Sequence, residues 1–126
     1  MQSVRRMGDG YEPQVWQEGD RLTYSLPVES GFVSFDFTFD IQQRDLDVLL
    51  ADDYRRAVLE IVAHTLLQRS TIRASFTQSD FDKLIAETLH ASPEVLQALI
   101  SRIAQEHNIA IEQYVQQIMS QRTSGK

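Results

Sequence analysis

Three observations predict an α+β fold with an antiparallel sheet first and helices after it. Residues 33 to 41, VSFDFTFDI, alternate large apolar residues with small or acidic ones, the period of a strand with one buried face. The stretch before it, RLTYSLPVES, alternates in the same way. From Asp45 onward the apolar spacing changes to that of amphipathic helices. Together these give a three-stranded antiparallel meander over residues 13–41, followed by four helices packed on one of its faces. A chain of 126 residues fits one domain with its own core. Residues 1–10 and 121–126 carry no periodic pattern and are expected to fray.

The first strand is read in PQVWQEGD, which ends at a turn near Glu18-Gly19-Asp20. A two-residue turn there sends Val15 inward and Trp16 outward, and a three-residue loop reverses them. The next two strands form a hairpin through Ser30-Gly31, where glycine suits the positive φ of a tight turn. That turn pairs Val28 with Val33, Leu26 with Phe35, Tyr24 with Phe37 and Leu22 with Phe39. All four apolar pairs then share one face. Arg21, Thr23, Ser25, Asp36, Thr38 and Asp40 share the other.

The helical region opens with DLDVLLADDYRRAVLEIVAHTLLQR, with a possible break near Ala51-Asp52. From Tyr54, the residues Ala57, Val58, Leu59, Ile61, Val62 and Leu66 cover more than half of the helix circumference. A helix that is apolar over so wide an arc is covered on more than one side, which makes it the central helix. Arg55 falls inside that arc, so its stem snorkels or its head pairs with Asp52. A second helix follows a capping sequence at Thr77-Gln78-Ser79-Asp80 or Ser79-Asp80-Phe81-Asp82. A third starts at Ser92-Pro93, an N-cap followed by proline at the first helical position. The last is built on Ile111, Tyr114, Val115, Ile118 and Met119.

Composition narrows the function. There is no cysteine, which excludes disulfides and thiolate metal sites. The N-terminal stretch has arginines without an apolar run behind them, and no segment is apolar enough to span a bilayer, so a cytoplasmic location is expected. The net charge is −6, which argues against direct nucleic-acid or membrane binding. The acidity is local. Glu29, Asp36, Asp40, Asp45, Asp47, Asp52 and Asp53 face only Arg44 within residues 29–53, and that segment alone carries the whole net charge.

No phosphate loop, nucleophile elbow or metalloprotease motif is present, so enzymatic activity, metals and cofactors are not expected. His90 and His107 fall near helix C-termini, where imidazolium suits the dipole. His64 extends an i, i+4 ladder through Glu60, Arg56 and Asp52. Asp36 and Asp40 stand four residues apart on one strand, about 13 Å between Cα atoms, too far for most paired-carboxylate mechanisms. The acids of residues 29–53 read either as a solvated face or as a docking surface for a basic protein, with Trp16 as an aromatic anchor where it points outward.

In its architecture the chain resembles the immunity proteins of bacterial contact-dependent growth inhibition and polymorphic-toxin systems. The resemblance is carried by a small acidic α+β domain, the strand VSFDFTFDI, the helix DYRRAVLEIVAHTLLQR and the lack of an enzymatic motif. It implies binding to one cognate toxin domain, commonly a basic nuclease, and blocking of its active site or substrate path; the chain itself is expected to be a monomer or weak homodimer. The candidate partner-binding residues, Glu29, Asp36, Asp40, Asp45, Asp47, Asp52, Asp53 and Trp16, rest on charge position and not on that resemblance. Two other readings stay open. A type III secretion chaperone is also small, acidic and α+β, but it carries a helix ahead of its sheet. A helix-turn-helix regulator fits the outline of IAQEHNIAIEQYVQQI, though its reading helix is short of positive charge.

Overall fold

The computed structural model describes residues 3–8, 13–30, 33–73 and 77–124, with side chains placed over 3–8, 13–27, 37–67 and 77–121. Four strands, β1 (Val4–Met7), β2 (Gln14–Glu18), β3 (Arg21–Ser30) and β4 (Val33–Ile41), form one sheet in chain order, antiparallel throughout. Five helices follow: α1 (Gln43–Ala51), α2 (Asp53–Arg73), α3 (Gln78–Leu89), α4 (Pro93–His107) and α5 (Ile111–Ser124).

The class is as expected, and the element counts are corrected upward. The fourth strand, β1, comes from the stretch expected to fray. Its VRRM does not alternate, because a register shift between Arg5 and Met7 interrupts its pairing with β2. The fifth helix arises at Asp52. That residue is extended, at φ −126° and ψ 95°. Its N–H donates to the Val48 carbonyl (2.8 Å), closing α1. Its Oδ1 accepts the N–H of Arg55 (3.1 Å), which opens α2. At the other end, α5 continues to Ser124, into the tail expected to fray.

The β2–β3 turn settles the orientation of Trp16. Glu18 pairs with Arg21, which leaves Gly19 and Asp20 as a two-residue turn, with Gly19 at φ +62°. Val15 therefore faces Tyr24, both in the core, while Trp16 faces Thr23 on the opposite side of the sheet.

The β3–β4 register differs from expectation by one side-chain repeat. Ser30 pairs with Val33, so Ser30 belongs to β3 and not to the expected Ser30-Gly31 turn, and residues 31 and 32 lie outside the described ones. Leu22 pairs with Ile41, Tyr24 with Phe39, Leu26 with Phe37 and Val28 with Phe35. A slip of two keeps each residue on its own face, so the apolar stripe survives it. Pro27 is opposite Asp36, in a stretch of β3 beyond its last pair with β2, Gln14 with Ser25. The missing N–H of Pro27 leaves no ladder bond unmade there.

The inner sheet face contributes Met7, Val15, Leu22, Tyr24, Leu26, Phe39 and Ile41 to the core. α2 is the central helix. Ala57, Val58 and Leu59, three residues in a row, are fully buried, because α2 packs on β3 and on all four other helices. α3 packs on β4 and α2, and its Phe81 stacks on Phe39 with ring centres 4.4 Å apart. Of the two candidate starts for α3, Thr77 is the N-cap: Asp80 donates its N–H to Thr77 Oγ1 (3.2 Å), and Thr77 donates its own N–H to Asp80 Oδ2 (3.0 Å). Ser92 and Pro93 open α4 as expected, and Asn108, left-handed at φ +52°, closes it.

Tyr54 ties three helices together. Its hydroxyl donates to Glu112 of α5 and accepts from Gln97 Nε2 of α4 (2.9 Å). Burial, and then the hydrogen bond to Glu112, push its pKa up from the ordinary value. The neutral phenol is thus favoured by folding. Its contribution to stability is complete below the phenol's unfolded-state pKa of about 10 and is lost as pH rises through the raised folded value. In Glu112→Gln the Tyr54 ring signals, followed by NMR, should titrate at lower pH than in the parent chain, yet still above an exposed tyrosine because the burial remains.

Candidate docking site

A cleft of about 350 Å³ lies where the end of β4, the start of α1 and the outer side of α3 meet, lined among others by Asp40, Arg44, Asp45, Gln78, Asp82 and His90. Its wall is built by local rules. Asp45 is the third residue of α1 and accepts the N–H of Gln42 at Oδ2 (2.8 Å), which caps the helix. The other oxygen, Oδ1, is 2.6 Å from His90 Nε2 at the end of α3. A carboxylate only accepts, so Nε2 carries the hydrogen. Asp45 is 5% exposed.

Gln78 frames the mouth. Its Oε1 accepts the N–H of Asp40 (2.8 Å), and its Nε2 donates to the Asp40 carbonyl (2.9 Å) and to Asp82 Oδ1 (2.8 Å). One amide thus holds the last turns of β4 against the first turn of α3. It leaves the exposed carboxylate of Asp82 with spare acceptor capacity, while the Asp40 carboxylate takes Arg21.

The acids read from the sequence separate into groups. Asp45 is buried and doubly bonded, so it serves α1 and α3 rather than an open surface. Asp52 caps α2 and sits 3.5 Å from Arg55 Nε. Asp40 pairs with Arg21 at 2.8 Å, and this pair stays open to solvent at 57% and 70% exposure. Asp40 supports that arginine's charge, first through the hydrogen bond and then through its negative charge, raising the Arg21 pKa. Asp47 and Asp53 are exposed, and Asp47 accepts from Gln43 Nε2 (2.9 Å). The side chains of Glu29 and Asp36 lie outside the described ones. Trp16 is half-buried on the open sheet face, with its indole N–H donated to Gln14 Oε1 (3.0 Å).

Sequence reasoning missed Gln78, Asp82 and His90 as neighbours of Asp40 and Asp45. His90 was placed correctly at a helix end, but its ring turns toward Asp45 and not back along its own helix. Contacts between residues 38 and 45 positions apart leave no local pattern. Asp82 carried the one usable hint, since it follows Gln78 by four residues and so shares its helix face.

Arg55 resolves in favour of pairing, and with more than Asp52. Nη1 donates to the Thr88 carbonyl (2.9 Å) and Nη2 to the Ala91 carbonyl (2.7 Å), so an arginine of α2 closes the C-terminus of α3. The α4–Asn108–α5 unit has the outline of a helix-turn-helix, but Glu112 in the first turn of α5 is engaged by Tyr54. Among the described residues no group of acidic and histidine side chains is arranged to hold a metal ion, and no helix is long and apolar enough to cross a membrane. Compared with protein-family models, with curated proteins and with solved structures, the chain finds no match in any of the three.

Proposed function

We propose that this chain is a protein-binding domain of the immunity type, which captures a basic toxin domain, such as a nuclease, and blocks its active site or substrate path. The observation that carries the reading is the exposed carboxylate of Asp82, held at the cleft mouth by the Gln78 amide that also clamps the backbone of Asp40. Fixed carboxylates with free lone pairs suit the lysine and arginine side chains of a partner that itself holds nucleic acid. Asp47 and Asp53 add exposed negative charge on the adjoining helices. The exposed acids left to a partner are therefore Asp47, Asp53 and Asp82, since Asp40 already carries Arg21 and Asp45 and Asp52 are committed within the fold.

The test uses the product of the adjacent gene as partner. Asp47→Lys combined with Asp82→Lys should keep the fold at a cost of about 1–2 kcal/mol, since both residues are exposed and each gives up one solvent-exposed hydrogen bond, from Gln43 and from Gln78. The double variant should bind about 10- to 100-fold more weakly, mainly through a slower on-rate, and the loss should shrink in high salt. Unchanged affinity, measured by stopped-flow mixing and calorimetry, would remove this surface from the reading.

A further inference from the structure

The geometry points to an acid–base site in the cleft: His90, oriented by the buried carboxylate of Asp45, acts as general base toward water, and Arg44 meets the oxyanion, in the hydrolysis of a small uncharged carboxylic ester. This activity goes beyond the protein-binding reading and stands independently of it.

Three features of the cleft carry it. The first is the pair itself. The side chain of Asp45 is 7% exposed and that of His90 is 28% exposed. Both oxygens of Asp45 are committed, Oδ2 to the N–H of Gln42 and Oδ1 to His90 Nε2 at 2.6 Å, so the carboxylate is held against the ring. With the hydrogen fixed on Nε2, the ring's lone pair is on Nδ1, which has no partner among the described residues. A base oriented from behind by a third group is the arrangement that general-base catalysis uses. The second feature is Arg44, which lines the same cleft and pairs with none of the described residues. It precedes Asp45 in the chain, about 3.8 Å away between Cα atoms, so a free cation stands beside the pair. The third is an apolar wall of Ile41, Ile85 and Ala86, which suits an acyl or alkyl group. His90 and Asp45 are 45 positions apart, so no linear motif discloses them.

Charge selects the substrate. Asp45 and Asp82 against Arg44 leave the cleft negative, since Asp40 is balanced by Arg21. A phosphodiester enters already charged and is opposed. An uncharged ester enters without that cost and develops one negative charge as water adds, which one guanidinium meets. The water oxygen bonds to the carbonyl carbon while its proton passes to Nδ1. Asp45 stays ionised and stabilises the imidazolium so formed. As the carbon–oxygen bond to the leaving group breaks, Nδ1–H returns the proton to the departing alkoxide, which gives a carboxylic acid and an alcohol. Asp45 is thus a positioning residue, and His90 and Arg44 are the groups that touch the reacting atoms.

The probe is p-nitrophenyl acetate, with the full chain. Nitrophenolate release should exceed that of free imidazole at equal concentration by about 100-fold or more. His90→Gln should remove that excess, while His64→Gln leaves it unchanged. Arg44→Ala should lower kcat about tenfold with little change in KM, since its charge is met only after water has added. Asp45→Asn keeps an oxygen for the Gln42 N–H but turns an amide N–H toward Nε2, so the ring hydrogen moves to Nδ1 and the base is lost. Nitrogen-15 shifts of His90 should therefore show Nε2–H in the parent and Nδ1–H in Asp45→Asn, with the excess rate gone in the latter. The inference is overturned if the parent chain is no faster than imidazole, if His90→Gln keeps the excess, or if the parent ring carries its hydrogen on Nδ1. The rate and the ring hydrogen are both read on the parent chain, so the test stands even where Asp45→Asn fails to fold.

Discussion

Arg55→Ala should destabilise the domain by about 3–5 kcal/mol, since it removes two charge-assisted hydrogen bonds to carbonyls in a part-buried site. The side chain is 15% exposed, and its guanidinium joins three elements. It bonds the carbonyls of Thr88 and Ala91 at the end of α3, and it lies beside Asp52 between α1 and α2. No basic residue occupies the last turn of α3, so Arg55 supplies from α2 the positive charge that a helix C-terminus favours. Alanine removes the donor from both carbonyls at once, while Asp52, 44% exposed, keeps the backbone N–H of residue 55. Arg55→Lys should recover only part of the loss, because a single ammonium cannot reproduce the planar fork that spans both carbonyls. Urea unfolding measures the difference. Against the usual 5–15 kcal/mol of a natural domain, the alanine variant should lose about 2 M in its urea midpoint. A loss below about 1 kcal/mol would show that water replaces the guanidinium at no cost.

The same residues explain what the sequence could and could not disclose. The faces of β3 and β4 were legible because alternation has a period of two, and a strand with one buried face can obey only one of two parities. The register was not legible, because a slip of two residues preserves that parity. The choice between a turn at Ser30-Gly31 and one a residue later rests on the turn itself. The break at Asp52 was legible as an acid that interrupts an apolar period. β1 was silent because a bulge removes its alternation.

The acidic stretch shows the limit most plainly. Asp45 and Asp47 are two residues apart and identical in kind, and charge counting treats them alike. On α1 that spacing turns them by about 200°, so one faces α3 and His90 while the other faces solvent. Helix phase could be read from Leu46 and Leu49, which are buried. Whether a carboxylate beside that stripe finds a partner depends on α3, whose C-terminus is brought there by the packing of α3 against β4 and α2. Local charge therefore predicted the acidic region, and tertiary contact decided which of its members remain open.

Phe81→Ala should cost a similar amount, about 3–5 kcal/mol for a large core aromatic, but by a different route. Phe81 is fully buried at the start of α3. Its ring lies nearly parallel to Phe39 of β4, at 9° and 4.4 Å, and tilted 36° from Tyr24 of β3 at 5.4 Å. Aromatic pairs of this kind add about 0.5–1.5 kcal/mol beyond the area they bury. The three rings are the apolar side of the junction whose polar side is Gln78 on Asp40, three residues earlier on the same helix. A cavity at Phe81 should therefore loosen the cleft as well as the core. Amide exchange at Asp40, slowed in the parent by the Gln78 bond, should accelerate more in Phe81→Ala than in Arg55→Ala when both are compared at equal residual stability. Equal acceleration in the two variants would mean that Asp40 opens only with global unfolding, and that the ring stack and the Gln78 clamp do not act as one local unit.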